Sequence, residues 1–101
     1  MKSLKTVLIS TMTVFSISLS TLANSAGQEK YQTTCVGCHG ENGQGVIGPK
    51  LAGQKPEEIV SKLKMYKAGE QMGPMTSMMA PMAMSLSETD MENIAEYVSG
   101  L

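Results

Sequence analysis

The 101-residue chain has no tryptophan and no arginine, and its aromatic residues are one phenylalanine and three tyrosines. It contains two cysteines and a single histidine. So few aromatic side chains cannot fill the interior of a domain, and a disulfide between cysteines three residues apart would close only a very short loop. A single histidine also excludes any site that needs two imidazole ligands. Another source of stability is therefore expected.

The first 26 residues are typical of a secretory signal peptide. Lys2 and Lys5 form a basic start, an apolar run covers residues 7–23, and small residues follow in the sequence LANSAG, which predicts cleavage near residues 23–26. An uncleaved membrane anchor is the alternative, but seven Ser or Thr in seventeen residues are many for a membrane span. We predict a leader over 1–26, one domain over 27–101, a periplasmic location and no membrane span after cleavage.

Removal of the leader leaves six lysines and nine acidic residues, a net charge of −3. Such a domain lacks the basic face that binding to nucleic acid requires, so nucleic acid is excluded as a partner. A hydrophobic core in a domain of this size gives only about 3–5 kcal/mol of stability. We therefore expect a bound cofactor to complete the interior.

The apolar pattern predicts an all-α domain with about three helices and loops rich in Gly, Pro and Met. Pro56 is a favourable first helical residue, and Ser87 with Asp90 three residues later is typical of a helix N-cap. Leu86 and Met91 flank this cap as a hydrophobic pair. No segment predicts a β-strand. The three helices are expected over about residues 27–38, 56–67 and 88–101.

Both cysteines and the only histidine lie within five residues, in the sequence Cys35-Val36-Gly37-Cys38-His39. This is the C-x-x-C-H pattern of covalent haem attachment. Residues i and i+3 of a helical turn lie on one side, so both thiols can reach the two vinyl groups at one edge of a porphyrin. His39 then follows as the proximal iron ligand. The pattern predicts one c-type haem, bound covalently through Cys35 and Cys38.

Three other interpretations fit these residues less well. A structural zinc site needs four ligands, and only three are present. A thioredoxin-like redox pair needs a βαβ context, which the sequence lacks. A simple disulfide beside an incidental histidine is the strongest alternative, but it explains neither the position of His39 nor the poor core.

A second axial ligand to iron would come from methionine, because no second histidine exists. Thioether ligation favours ferrous iron and raises the reduction potential. At most one methionine can bind the iron, and most of the others are expected to be adaptable core residues. The segment before the last predicted helix offers six, namely Met72, Met75, Met78, Met79, Met82 and Met84.

With these motifs the chain resembles the small soluble bacterial monohaem cytochromes c of class I. Gly27 and Tyr31 match the first-helix pattern of that family, in which a small residue and an aromatic residue contact the last helix. The segment GPKLAG is similar to the family segment after the haem site. The resemblance implies that the Pro49 carbonyl accepts a hydrogen bond from the ligand histidine and that Leu51 packs on the haem.

The resemblance also implies which methionine binds iron. In this family the distal methionine lies seven residues before the apolar residue that precedes the last helix. Counting back from Leu86 gives Met79, with Met78 and Met82 as the alternatives.

These residues predict a non-enzymatic, monomeric, single-electron carrier with His39/Met79 ligation. Its expected partners are redox proteins that dock transiently, such as membrane or periplasmic oxidoreductases or a terminal oxidase of a respiratory chain. One alternative is an exported Met-rich module that binds Cu(I), because soft sulfur ligands select that ion. The other is a five-coordinate haem protein for gas sensing or peroxidase-like work. The sequence does not identify the electron donor or acceptor.

Overall fold

The computed structural model describes residues 19–101, with side chains described from residue 24 onward. Within that part there is no β-strand, and the predicted all-α class is confirmed. Residues 1–18 of the predicted leader lie outside the described residues, and the predicted cleavage region at 23–26 falls inside the first helix. The described residues form five helices, namely α1 (Leu19–Thr34), α2 (Val36–His39), α3 (Pro56–Lys67), α4 (Thr76–Met84) and α5 (Glu88–Ser99).

Helices α1 and α2 take the place of the single first helix expected over residues 27–38. Helix α1 covers Leu19–Thr34, so it extends further toward the N-terminus than expected, and the helical path is interrupted at Cys35, which is the N-cap of α2 with φ −112° and ψ −28°. The Cys35 N–H still donates to the Tyr31 carbonyl at 2.8 Å. The interruption is therefore one residue long and separates the C-x-x-C-H turn from the long helix before it.

The predicted beginnings of α3 and α5 agree with the structure. Pro56 is the first residue of α3, and two glutamates occupy its first turn, where carboxylates interact favourably with the helix dipole. At α5 the Ser87 Oγ accepts from the Asp90 N–H at 3.0 Å, and the Asp90 Oδ2 accepts from the Ser87 N–H at 2.9 Å. This reciprocal pair is a complete capping box.

Helix α4 lies where the sequence predicted only a Met-rich loop. Its N-cap residue Met75 makes no side-chain cap hydrogen bond, and Pro81 lies inside the helix. Proline has no N–H to donate within a helix, so it normally indicates an interruption. Nearly all residues of α4 are apolar, and no polar face alternates with an apolar one to indicate a helical period. These features explain why the sequence pattern missed this helix.

The core is centred on the packing of α1 against α5. A Cβ atom added to Gly27 would lie 2.1 Å from the Asn93 carbonyl oxygen, so the two backbones approach as closely as glycine allows. One turn further along α1, the Tyr31 ring lies 5.6 Å from the Tyr97 ring, centroid to centroid. The predicted contact of Gly27 and Tyr31 with the last helix is present. The other buried members of this core are Cys35, Ile59, Leu63, Leu86, Met91, Ile94, Ala95 and Val98.

None of the described helices is both long and apolar enough to cross a bilayer. The domain expected over residues 27–101 contains α2 to α5 and the second half of α1.

Candidate functional site

A largely apolar cleft lies between the C-x-x-C-H turn on one side and helices α3 and α4 on the other. The turn and the loop after it contribute Cys35, Cys38, His39, Ile47, Gly48 and Pro49, α3 contributes Tyr66, and the α4 region contributes Met75, Met78, Met79 and Met82. Five of the six predicted site residues therefore line one cleft. The sixth, Leu51, packs against the hydrophobic core and is not part of this lining, so its contact with haem stays a prediction.

Backbone hydrogen bonds connect the loop after α2 to the C-x-x-C-H turn. The N–H groups of Val46, Ile47 and Gly48 converge on the carbonyl oxygen of Cys38 at 3.2, 3.0 and 2.8 Å. Gly40 leaves α2 with a φ of 86°, a left-handed conformation that glycine adopts without strain. The loop is thereby folded back over His39.

The His39 ring is buried and has a defined orientation. Its Nδ1 lies 2.8 Å from the Pro49 carbonyl oxygen. A carbonyl oxygen can only accept, so Nδ1 carries the hydrogen and donates it. The neutral imidazole then presents the lone pair of Nε2, which is the form in which histidine binds a metal. The hydrogen bond that the resemblance implied for Pro49 is present in the structure.

Gly48 is a site residue that the sequence analysis did not identify. A Cβ atom at this position would lie 2.6 Å from the Cε1 of His39 and 2.9 Å from its Nδ1. Any other residue would therefore collide with the ring that Pro49 orients. The sequence gives no signal for this contact, because GPK is equally typical of a turn.

Tyr31 supports the same region from the core side. Its hydroxyl is buried and donates to the Gly40 carbonyl at 2.6 Å, directly after His39 in the chain. Burial is the main reason why the pKa of Tyr31 is raised, so the hydroxyl keeps its hydrogen well into alkaline pH.

Cys35 and Cys38 form no disulfide in this structure. Burial, assisted by the nearby Cys38, raises the pKa of the Cys35 thiol to about 11. A redox-active cysteine needs a lowered pKa and access to solvent. The environment of Cys35 therefore argues against the thioredoxin-like interpretation. A zinc site is not supported either, because the described residues contain no group of three His, Cys, Asp or Glu side chains able to hold a metal.

The four cleft methionines differ in exposure. Met79 is half-buried and packs against the hydrophobic core, whereas Met75, Met78 and Met82 are 43 %, 53 % and 46 % exposed. Met79 is thus the thioether of this group with the most fixed surroundings.

The sequence profile of the cytochrome c family matches residues 25–101. This chain belongs to the cytochrome c family. As in other cytochromes c, the implied cofactor is a covalently bound c-type haem, and the function is electron transfer. The cleft fits that group, because it combines two cysteines at the required spacing, a histidine with a free Nε2 and several thioethers in apolar surroundings.

Relatives of similar size support the same assignment. The chain is 43 % identical over 77 residues to cytochrome c-554(548) of Halomonas halodenitrificans, covering 74 % of this chain and 92 % of the relative. It is 40 % identical over 86 residues to cytochrome c-554(547) of Halothiobacillus neapolitanus, covering 76 % and 94 %. The chain is thus a small bacterial class I monohaem cytochrome c.

The fold also matches a solved structure. Reduced recombinant cytochrome c4 from Pseudomonas stutzeri superposes with a TM-score of 0.72 at 28 % identity, over 80 % of this chain and 49 % of that one. A further relative, 29 % identical over 82 residues, is named thiosulfate dehydrogenase electron acceptor and comes from Stutzerimonas stutzeri. The match covers 79 % of this chain but only 38 % of that protein.

Proposed function

We propose that this cytochrome c is a periplasmic single-electron carrier in which Cys35 and Cys38 hold one haem, with His39 and Met79 as the axial iron ligands. The observation that carries the proposal is the His39–Pro49 hydrogen bond of 2.8 Å inside a cleft that also contains both cysteines. When bound, the haem supplies an iron that alternates between the ferrous and ferric states.

The chain's own contribution is to fix the proximal side of the cleft. His39 is 6 % exposed, and it is held by Pro49 on one side and by the close approach of Gly48 on the other. A hydrogen bond donated by Nδ1 orients a ligating imidazole and makes it more basic. A ring fixed in this way needs little rearrangement when the charge of the metal changes.

Met79 is proposed as the distal ligand because it lines the cleft and also packs against the core. Because Met79 is half-buried, its side chain has fewer accessible rotamers than the exposed side chains of Met78 and Met82. A thioether ligand raises the reduction potential of haem iron. With Met79 as a second axial ligand the iron would be six-coordinate, which distinguishes this proposal from the five-coordinate alternative.

Substitution of the candidate ligands tests this assignment. We expect the Met79→Ala holoprotein to lose the long-wavelength charge-transfer band of ferric iron with a thioether ligand and to show a lower potential in an optical redox titration. Met78→Ala and Met82→Ala are the matched controls and should keep both properties. Loss of the band in a control variant, with Met79→Ala unchanged, would assign the ligand to that control residue instead.

The periplasmic location rests on the leader and on the attachment motif. The family match begins at residue 25, close to the predicted cleavage region at 23–26. Bacterial relatives are cytochromes of similar length. N-terminal sequencing of protein released from the periplasm should give a first residue between 24 and 27. A chain that retains Lys2 and Lys5 would contradict the cleavage and the domain boundary, and absence of the holoprotein from the periplasmic fraction would contradict the location.

Redox proteins are the expected partners. We propose that this cytochrome c is a monomer and that its partners dock transiently at the rim of the cleft. Val46 and Ile47 are 70 % and 59 % exposed on the loop beside His39, and Ile47 also lines the cleft. Small contacts of this kind are typical of brief electron-transfer encounters. The carrier itself needs no catalytic nucleophile, which agrees with a non-enzymatic role.

A further inference from the structure

Three of the cleft methionines are left without a role once Met79 is assigned to iron. Met75, Met78 and Met82 are between 43 % and 53 % exposed, although each also lines the cleft. Unbranched thioether side chains are normally useful as buried, adaptable filler. The iron can take at most one of the four cleft thioethers, so the other three are not iron ligands.

Their spacing places them on one side of α4. Met75 is the N-cap residue of the helix, and Met78 and Met82 follow at i+3 and i+7. Residues three and four apart on a helix have Cβ atoms about 5–6 Å from each other. Three long, flexible side chains at that separation can bring their sulfur atoms to one point.

Hydrogen bonds fix the backbone just before α4, and they thereby fix the position of Met75 at the start of the helix. Thr76 is buried, its Oγ1 accepts from the Met72 N–H at 2.9 Å, and it donates to the Gly73 carbonyl at 2.7 Å. The Met78 and Met79 N–H groups both donate to the Met75 carbonyl. Met75 therefore belongs to a defined first turn.

The donor set is chemically selective. Thioethers are soft, neutral ligands that select Cu(I) over zinc, magnesium or calcium. Helix α4 contains no charged residue, so no carboxylate within it offers a harder ligand. Within the described residues no cluster of His, Cys, Asp or Glu competes for a metal. A single positive charge also suits neutral ligands better than a divalent ion does.

We propose that Met75, Met78 and Met82 form a site for one Cu(I) ion at the rim of the haem cleft. The proposal rests on the proposed function in one respect, namely that Met79 binds iron and is not the third copper ligand. It concerns binding only and adds a metal site to an electron carrier.

Anaerobic equilibrium dialysis of the ferrous holoprotein tests the site. The protein is dialysed against Cu(I) buffered by bicinchoninate, with ascorbate as reductant, and copper and iron are then measured in the same sample. We expect the wild type to bind one copper per haem and the Met75→Leu/Met78→Leu/Met82→Leu variant to lose that copper. Met75→Leu alone should weaken binding, which keeps the test valid if the triple variant folds poorly.

Two methionines away from this face provide the matched control. Met84 is 63 % exposed and lies about half a helical turn from Met75 in projection, and Met65 is 36 % exposed on α3. The Met65→Leu/Met84→Leu variant should bind copper like the wild type. Copper binding that survives in the triple variant, or a wild type that binds none, would overturn the proposal.

The same samples separate this inference from the haem assignment. The triple variant keeps Met79, and its iron content shows whether haem is still bound, whatever happens to its copper. Copper bound by the wild type and lost from the triple variant would support the copper site even if Met79→Ala kept its charge-transfer band and so contradicted the haem assignment.

Discussion

At the scale of single residues, the orientation of the His39 ring depends on two neighbours in the loop after it. The Pro49 carbonyl accepts from Nδ1, and the missing side chain of Gly48 leaves room for the ring. The bond to Pro49 was expected from a family resemblance. The need for glycine at 48 was not expected, because a contact between a backbone and a ring nine residues apart leaves no periodic pattern in a sequence.

Gly48→Ala is expected to displace the His39 ring. The added Cβ would lie 2.6 Å from Cε1, and relief of such an overlap costs about 1–3 kcal/mol. Urea unfolding of the holoprotein should show a loss of that size together with a changed haem absorption spectrum. Gly100→Ala is the control, since its added atom would make only ordinary contacts at 3.7 Å or more. Equal stability of the two variants would show that Gly48 does not constrain the ring.

Tyr31→Phe is expected to lower the free energy of unfolding by about 1 kcal/mol. The substitution removes the buried hydrogen bond to the Gly40 carbonyl, but that oxygen still accepts from the Gly43 N–H at 3.2 Å. The loss is therefore smaller than for a carbonyl left without any partner. Tyr97→Phe is the control, because it keeps the ring contact with Tyr31 and its hydroxyl has no partner among the described residues. A loss below about 0.3 kcal/mol in Tyr31→Phe would contradict the role of this bond.

At the scale of secondary structure, predictions succeeded where a terminus carries its own chemical signal. The capping box at Ser87 and Asp90 and the proline at the start of α3 depend only on neighbouring residues. Helix α4 has no such signal and contains a proline, so its stability comes from packing, as the burial of Thr76 and Ala83 indicates. Sequence patterns report local preferences and cannot report that packing.

The cap of α5 gives a pH prediction. The hydrogen bond from the Ser87 N–H, with a smaller contribution from Lys30 at 3.7 Å, lowers the pKa of Asp90. A lowered pKa in the folded state stabilises the fold above the ordinary carboxyl pKa of about 4, and this stabilisation is lost as the pH falls through the folded-state value. Asp90→Asn should therefore cost about 0.5 kcal/mol at pH 7 and less near pH 3.

Urea unfolding of both proteins at pH 7 and pH 3 measures this difference. Glu92→Gln removes an exposed carboxylate of the same helix and serves as the control, with little change expected at either pH. A stability difference between wild type and Asp90→Asn that stayed constant over this range would show that the charge of Asp90 does not contribute.

At the scale of the whole molecule, the domain has a modest core on one side and an apolar cleft on the other. The buried residues are mainly aliphatic and lie between α1, α3 and α5. The cleft is lined by thioethers, Ile47 and Tyr66. A covalently bound haem explains why so small a chain leaves this surface uncovered. The shortage of aromatic residues in the sequence predicted such a cofactor, but it did not predict that α4 would form the opposite wall.

Mass spectrometry of the tryptic peptide 31–50 tests the central claim most directly. Cleavage after Lys30 and Lys50 gives a fragment that contains Cys35, Cys38 and His39 together with Pro49. Protein purified from a host able to attach haem should yield this peptide with the added mass of one haem and with no thiol left for alkylation. A peptide without that mass, with both cysteines alkylated in a folded protein, would contradict the account.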